Sequence, residues 1–324
     1  MLHLLNGRST EETFRQTSVP GDYFSFRDAL ISGPVLPDLV AEEWRRLRAA
    51  HLAQSYGVRI DECERDLLRQ SEVLNSSLDH DEVVLWFEHD LFCQLNLLYL
   101  LHWFSNADLG ATSLSLINIG NFPGRPHFRG LGELNSAELG SLFHERERVT
   151  NEQLELGRRA WQAFSSPEPT EIETLIETNT SSLPFLATAL RAHLRRFPAT
   201  TNGLGTIENK TLNLIDQGCE EFSSVFVEFS NSESVYGLGD AQLWLSLKSL
   251  ANVKRPLIKG LANLDHNAEM DQRFSLTEDG RDVLKGERDF LELNSIDQWL
   301  GGVHLNGREV WRWDHEADRL RYSH

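Results

Sequence analysis

The sequence predicts an α/β protein: an N-terminal doubly wound, mostly parallel sheet, then a helical segment and a winged-helix-like C-terminal domain ending in a β-hairpin. Three observations carry that reading. Val83–Phe87 is a continuous apolar run between polar ends, the pattern of a parallel strand buried on both faces. Strand-like runs alternate with helical periodicities over the first part of the chain, which implies right-handed crossovers. Near the end, Asn306-Gly307 separates two strand-like runs, a strong short-range hairpin signal.

Taken in order, Leu2–Leu5 reads as a strand that stops at Asn6-Gly7. Ser9 to Glu12 has capping-box spacing, with Ser9 as the expected N-cap. A second strand is expected around Tyr23–Arg27 after the Pro20-Gly21 turn. Val40, Trp44 and Leu47 recur at helical spacing, and another helix is expected from Asp61 to Leu74. Val83–Phe87 leads through Glu88-His89-Asp90 into a helix that is apolar almost all round, Leu91 to Phe104. Leu114, Leu116, Ile117 and Ile119 supply a fourth strand.

From Asn135 to Phe197 the pattern is helical, with a stripe at Leu186, Leu190, Leu194 and Phe197. Ala199–Gly205 reads as a linker. Helices are then expected at Thr206–Ile215 and Asp240–Leu250, and Leu276 to Gly280 resembles the step into the last helix of a winged helix. The expected organisation is a Rossmann-like ligand-binding domain (1–134), a helical connector (135–198) and a winged-helix-like domain (199–324).

Composition narrows the function. The 324 residues carry 49 acids against 31 bases, a net charge of −18, whereas nucleic acid and anionic lipid are held by concentrated Lys and Arg. The densest basic stretch, Arg45-Arg46-Leu47-Arg48, fits the solvated face of a helix. The three cysteines, Cys63, Cys93 and Cys219, are too widely spaced for a disulfide framework or a zinc knuckle. The first residues are too short for a signal-peptide core, and the apolar stretch Val83–Phe104 is interrupted by Glu88, His89, Asp90, Gln94, Asn96 and His102. A cytoplasmic protein with no membrane contact is expected.

In open parallel sheets, ligands sit beyond the carboxyl ends of the strands. That rule selects the candidate residues. Asn6, Gly7 and Ser9 follow the first strand, where Gly7 permits close backbone approach; capping alone also accounts for Ser9. Asp28 follows the second strand and also reads as a plain turn residue. Glu88, His89 and Asp90 follow the third strand, a position that favours perturbed pKa values and acid–base work; Asp90 also suits the N-cap of the next helix. His127 and Arg129 lie in a Gly- and Arg-rich segment that suits an anionic ligand, or an Arg129 paired with a surface acid. No metal is assigned, since no ligand spacing is recognisable, and the residues identify no cofactor. His304, Trp311 and Trp313 read as structural.

Several segments together resemble a known family: His3-Leu-Leu-Asn6-Gly7-x-Ser9, Pro20-Gly21, Arg27-Asp28, Gly33-Pro34-Val35, Leu85-Trp-Phe-Glu-His-Asp-Leu-Phe92, Gly130-Leu-Gly-Glu-Leu134, Trp299-Leu-Gly-Gly-Val-His-Leu305 and Trp311-Arg-Trp-Asp314. The chain resembles the bacterial domain-of-unknown-function family eighteen-thirty-five over nearly its whole length. It departs from the family pattern at Arg8, where an acid is usual. The resemblance implies the architecture and the choice of candidate residues, and brings no reaction with it.

Two functions are therefore expected to compete. The leading one is an enzyme, hydrolase or transferase, acting on a small polar metabolite that is nucleotide-like or phosphorylated. Glu88 or His89 would be its acid/base, Asn6 to Ser9 would orient the substrate, and Arg129 would neutralise its charge. The alternative is a non-catalytic sensor whose C-terminal domain contacts a protein partner or a second copy of the chain. A DNA-binding regulator is disfavoured: residues 199–324 hold 13 Lys and Arg against 21 Asp and Glu, and the expected recognition helix has one basic residue, Lys248. Titrating an unrelated duplex at physiological salt is expected to leave fluorescence anisotropy flat up to about 10 μM protein, within the usual non-specific range of 10⁻⁴–10⁻⁶ M. A steep, salt-sensitive rise would reverse this conclusion.

Overall fold

A computed structural model describes residues 1–37, 39–260 and 270–323. Its N-terminal part is a five-stranded sheet. β1 (Leu2–Asn6) runs into α1 (Arg8–Phe14) and β2 (Asp22–Phe26). After the short β3 (Gly33–Pro34) come α2 (Ala41–Tyr56), α3 (Ile60–Ser77), β4 (Glu82–Glu88), α4 (Leu91–Asn106) and β5 (Ser113–Ile119). The strand order is β2-β1-β4-β5-β6, parallel except for the edge strand β6 (Glu147–Arg148), which pairs antiparallel with β5.

The alternation of side chains along each strand divides the core in two. Leu2, Leu4, Val83, Leu85, Phe87, Leu114 and Leu116 pack with α4 and the helices beyond it. Leu5, Val84, Trp86 and Ile117 pack with Phe14 of α1 and with Leu131, Leu134 and Leu139. His3, on the second face, is kept neutral by burial; its Nδ1 accepts from Trp86 Nε1 at 3.1 Å and its Nε2 lies 3.0 Å from the Pro20 carbonyl. α4 is apolar almost all round because it lies between the sheet and α6 (Asn151–Ser165).

Before α6 comes α5 (Ser136–Ser141), and after it α7 (Thr170–Ile176) and α8 (Leu186–Leu194). The stripe Leu186, Leu190, Leu194 and Phe197 is fully buried. The C-terminal region holds α9 (Thr206–Asp216), α10 (Phe222–Ser232) and α11 (Asp240–Ala251). The antiparallel pair β7 (Ile258–Lys259) and β8 (Ser275–Leu276) follows, with Glu221 bridged to Arg273, then α12 (Glu278–Leu284). Three helices, a hairpin and a closing helix is the order of a winged helix. α13 (Phe290–Leu293) precedes two terminal hairpins, β9 (Ile296–Gly301) with β10 (Val303–Gly307), and β11 (Trp311–Asp314) with β12 (Arg319–Tyr322). β9 also pairs in parallel with β3, Gly33 opposite Leu300, and one hydrophobic core runs from Leu2 to Leu320. Among the described residues, no helix is long and apolar enough to cross a membrane.

Several expectations are corrected. Ser9 is not an N-cap: α1 begins at Arg8 behind Gly7, with no side-chain cap. Gly7 has φ +84° with open space where a Cβ would sit, so backbone conformation, not crowding, calls for glycine there. Residues 199–205 are no loose linker: Asn202 to Gly205 are buried, and Ala199 N–H donates to the Leu204 carbonyl at 2.9 Å. Asn306-Gly307 does not turn a hairpin. The reversal falls five residues earlier at Gly301-Gly302, which packs directly on the Phe164 and Ser165 carbonyls, where no side chain would fit.

The largest correction concerns Arg48, expected on a solvated helix face. Its side chain is 0% exposed and pairs with Asp28, 1% exposed, through Nη2 to Oδ1 at 2.6 Å and Nε to Oδ2 at 3.2 Å. The guanidinium also donates to the Ser32 and Ala29 carbonyls at 2.7 and 3.0 Å. Removing one member of such a pair leaves the other charge uncompensated, at about 3–5 kcal/mol. Arg48→Met is therefore expected to lose that much stability in urea unfolding. The double variant Arg48→Met, Asp28→Leu is expected to recover a large part of it.

Candidate functional site

Asn6 ends β1 and Glu88 ends β4, and because these strands are parallel neighbours their side chains leave the sheet together. The chain passes from β1 to β2 on one side and reaches β4 and β5 on the other. The sheet end shared by β1 and β4 is thus the topological switch point, where open α/β sheets place their ligands.

The groups gathered there are polar and buried: Asn6, Glu88, Asp90, Gln94 and Asn96. Asn6 Nδ2 donates to Glu88 Oε2 at 3.5 Å and to Cys93 Sγ, while Asn96 Nδ2 donates to Asn6 Oδ1 at 3.1 Å. The Leu131 N–H donates to Glu88 Oε1 at 2.9 Å. Gln94 Nε2 donates to the Glu88 carbonyl at 2.6 Å and to Asn118 Oδ1 at 3.1 Å. Asp90 caps α4, accepting from the Cys93 N–H at 3.0 Å. Gly237, from the C-terminal region, packs so closely on it that an added Cβ would lie 1.9 Å from Asp90 Oδ1.

Burial pushes the Glu88 carboxyl up to about 7, and the nearby Asp90 charge adds to the effect. Burial also raises Asp90 and keeps Cys93 a neutral thiol. Two carboxyls that cannot both ionise cheaply in one buried site can hold and release a proton near neutral pH. Beside them, Gln94 Oε1, Asn96 Oδ1, Asn118 Nδ2 and His89 Nδ1 are buried with no hydrogen-bond partner among the described residues. Buried polar groups are nearly always paired, so these four atoms mark unused bonding capacity at the same end of the sheet.

The structure brings Asn6, Glu88 and Asp90 together. Ser9 borders them: Gly130 lies against the Glu88 carboxylate and Gly132 against Ser9, while Gly7 follows Asn6 with open space beside it. His89 is half-exposed and sets its ring edge to Phe185 at 6.0 Å, with its Nδ1 buried. Asp28 is not in this group, because Arg48 occupies its carboxylate. His127 is exposed, and Arg129, also exposed, folds back on Glu133 at 2.8 Å. Glu88 and Asp90 are buried, 4% and 3% exposed. Cys93, Gln94, Asn96 and Asn118 were not anticipated. Gln94 and Asn96 were visible as polar residues within an otherwise apolar helix. Among the described residues, no three His, Cys, Asp or Glu side chains group as a metal cluster. In comparisons with known proteins, no family model matches this chain and no curated protein matches it.

The Glu88 shift has a definite sign. Its folded pKa lies above the unfolded carboxyl value of 4.5, so the folded state binds more protons between about 4.5 and 7. Its contribution to stability is full below that window and is lost as pH rises through it. Urea unfolding of the wild type is expected to show falling stability from pH 5 to pH 8, by an order of a few kcal/mol from this group. In Glu88→Gln that fall is expected to be clearly shallower; an unchanged slope would mean that Glu88 ionises normally.

Proposed function

We propose that the switch-point crevice binds a small polar metabolite, nucleotide-like or phosphorylated, and that the protein transforms it by acid/base-assisted hydrolysis or group transfer. The observation carrying this reading is Glu88: a buried carboxyl poised near neutral pH, placed at the shared end of two parallel strands and beside unpartnered amide atoms. Glu88 is the proton donor and acceptor. Asn6 holds the Glu88 carboxyl in place, and His89 and Asn118 offer bonds to the ligand. Asp90 keeps the Glu88 pKa high. The exposed Arg129 is free to exchange Glu133 for an anionic substrate. Membership of the family eighteen-thirty-five is part of the proposal and rests on the segments quoted above.

One observation favours the sensor reading as the second choice. Gly237 touches Asp90 directly, so a change at the crevice reaches the winged-helix-like region without an intermediary. Occupancy would then be read by a protein partner, or by a second copy of the chain.

A panel of nucleosides, nucleotides and sugar phosphates screened by thermal shift and product formation tests both readings. The enzyme reading expects product from at least one compound, a rate limb near pH 7, and loss of turnover by about 10²-fold or more in Glu88→Gln, the usual scale of general acid–base catalysis. Binding without product, still abolished by His89→Asn, would favour the sensor. Binding unaffected by Glu88→Gln and His89→Asn together would place the ligand elsewhere.

A further inference from the structure

A cavity lies at the junction of the sheet region, the helical segment and the C-terminal region. It is a cleft of about 670 Å³ whose walls include His51 and Tyr56 of α2, Glu208 of α9, Leu245 and Ser246 of α11, and Trp299 of β9. That volume falls within the range of roughly 300–1,000 Å³ typical of small-molecule sites. None of the switch-point residues lines it.

Arg196, two residues beyond α8, reaches the cleft. Among the described residues its guanidinium makes one hydrogen bond, Nη1 to His193 Nδ1 at 3.4 Å, and no carboxylate comes within ion-pair distance. Burial pulls its pKa down, as expected of a cation short of a counter-charge. Glu208, the nearest acid acting on it, is instead engaged by Ser246 Oγ at 3.0 Å, and burial raises its pKa. His51 adds no positive charge: burial first, and the neighbouring Arg48 second, lower its pKa to about 4.

Arg48 shows what the fold does when it buries an arginine for structure alone: it supplies Asp28 and three carbonyls. Arg196 receives no such set and faces a cavity. Arg196 is half-buried at the cleft wall, and an anion entering the cleft would give its guanidinium the charged hydrogen-bond partner that no carboxylate among the described residues supplies. The remaining walls are mixed. Leu245 and Trp299 are half-buried apolar surface, and the Tyr56 hydroxyl accepts from Gln242 Nε2 at 3.2 Å across the junction.

We infer that this cleft is a binding site for a small organic anion, whose carboxylate or phosphate pairs with Arg196 and whose apolar body lies against Leu245 and Trp299. The ligand bridges α2 with α11 and β9, so its binding ties the sheet to the winged-helix-like region. The site shares no residue with the switch-point crevice and stands or falls separately from the function proposed for it.

The test uses the full chain with benzoate, phenyl phosphate and inorganic phosphate as probes, followed by thermal melts and tryptophan emission at constant ionic strength. Benzoate or phenyl phosphate is expected to raise Tm saturably, as any ligand selective for the folded state does, and the tighter of the two identifies the head group. Inorganic phosphate, lacking an apolar body, is expected to bind more weakly. Arg196→Met is expected to weaken the better probe about tenfold or more, and Arg196→Lys less. Trp299→Phe is expected to abolish the emission change while keeping a Tm response. Should Arg196→Met fail to fold, Ser246→Phe, which fills the cleft from α11, is expected to block binding in its place. Wild-type protein that responds to neither organic anion, or either blocking variant binding like wild type, would overturn the inference.

Discussion

The parallel pairing of β1 with β4 is the constraint on which the rest of the molecule depends. It puts Leu2 beside Val83 and Leu5 beside Trp86, so both faces of the sheet centre are apolar and both must be covered. α4 and α6 cover one face; α1 and the segment from Phe128 to Phe143 cover the other. The same pairing brings the strand ends out together. Asn6 and Glu88 are 82 residues apart in sequence, yet they meet because two parallel strands in register end at the same edge.

Burial of charge then divides the molecule into places that are satisfied and places that are not. Asp28 and Arg48 satisfy each other, with backbone carbonyls completing the guanidinium's bonds. Glu88 and Asp90 are two acids with amides, a thiol and N–H groups around them and no Lys or Arg paired with them among the described residues, and burial makes their protons harder to remove. Among the described residues, the Arg196 guanidinium has only a histidine nitrogen as a hydrogen-bond partner. A structural ion pair lowers its own reactivity, whereas unmatched groups of either sign keep a capacity for protons or ions. The chemistry proposed for this protein follows the unmatched groups.

The three regions expected from sequence are joined more closely than a linker would imply. β9 adds to β3, Ala199 bridges to Trp313, and Arg312 reaches both the Ala199 carbonyl and Asp289. Arg191 and Arg195 hold Asp318, the turn residue between β11 and β12. The C-terminal hairpins therefore act as clasps on the helical segment and on β3. Such contacts let the state of the crevice or of the cleft influence the winged-helix-like region through packed structure.

The sequence by itself determined the elements and the layer order. An unbroken apolar run such as Val83–Phe87 has few solutions other than a buried parallel strand, and an all-apolar helix beside it must be covered on every side. It also determined that Asn6 and Glu88 lie at strand ends, because the rule depends only on where apolar runs stop. Only the tertiary structure decided which polar residues are partners. Arg48 reads as a surface residue until Asp28 is found 20 residues away beside it. Gln94 and Asn96 read as interruptions until β1 and β5 supply Asn6 and Asn118. Asn306-Gly307 reads as the hairpin turn until the Phe164 and Ser165 carbonyls require glycines five residues earlier. Local periodicity reports whether a side chain faces the core. The partner that makes a buried charge or amide tolerable comes from a distant segment, and no local pattern encodes it.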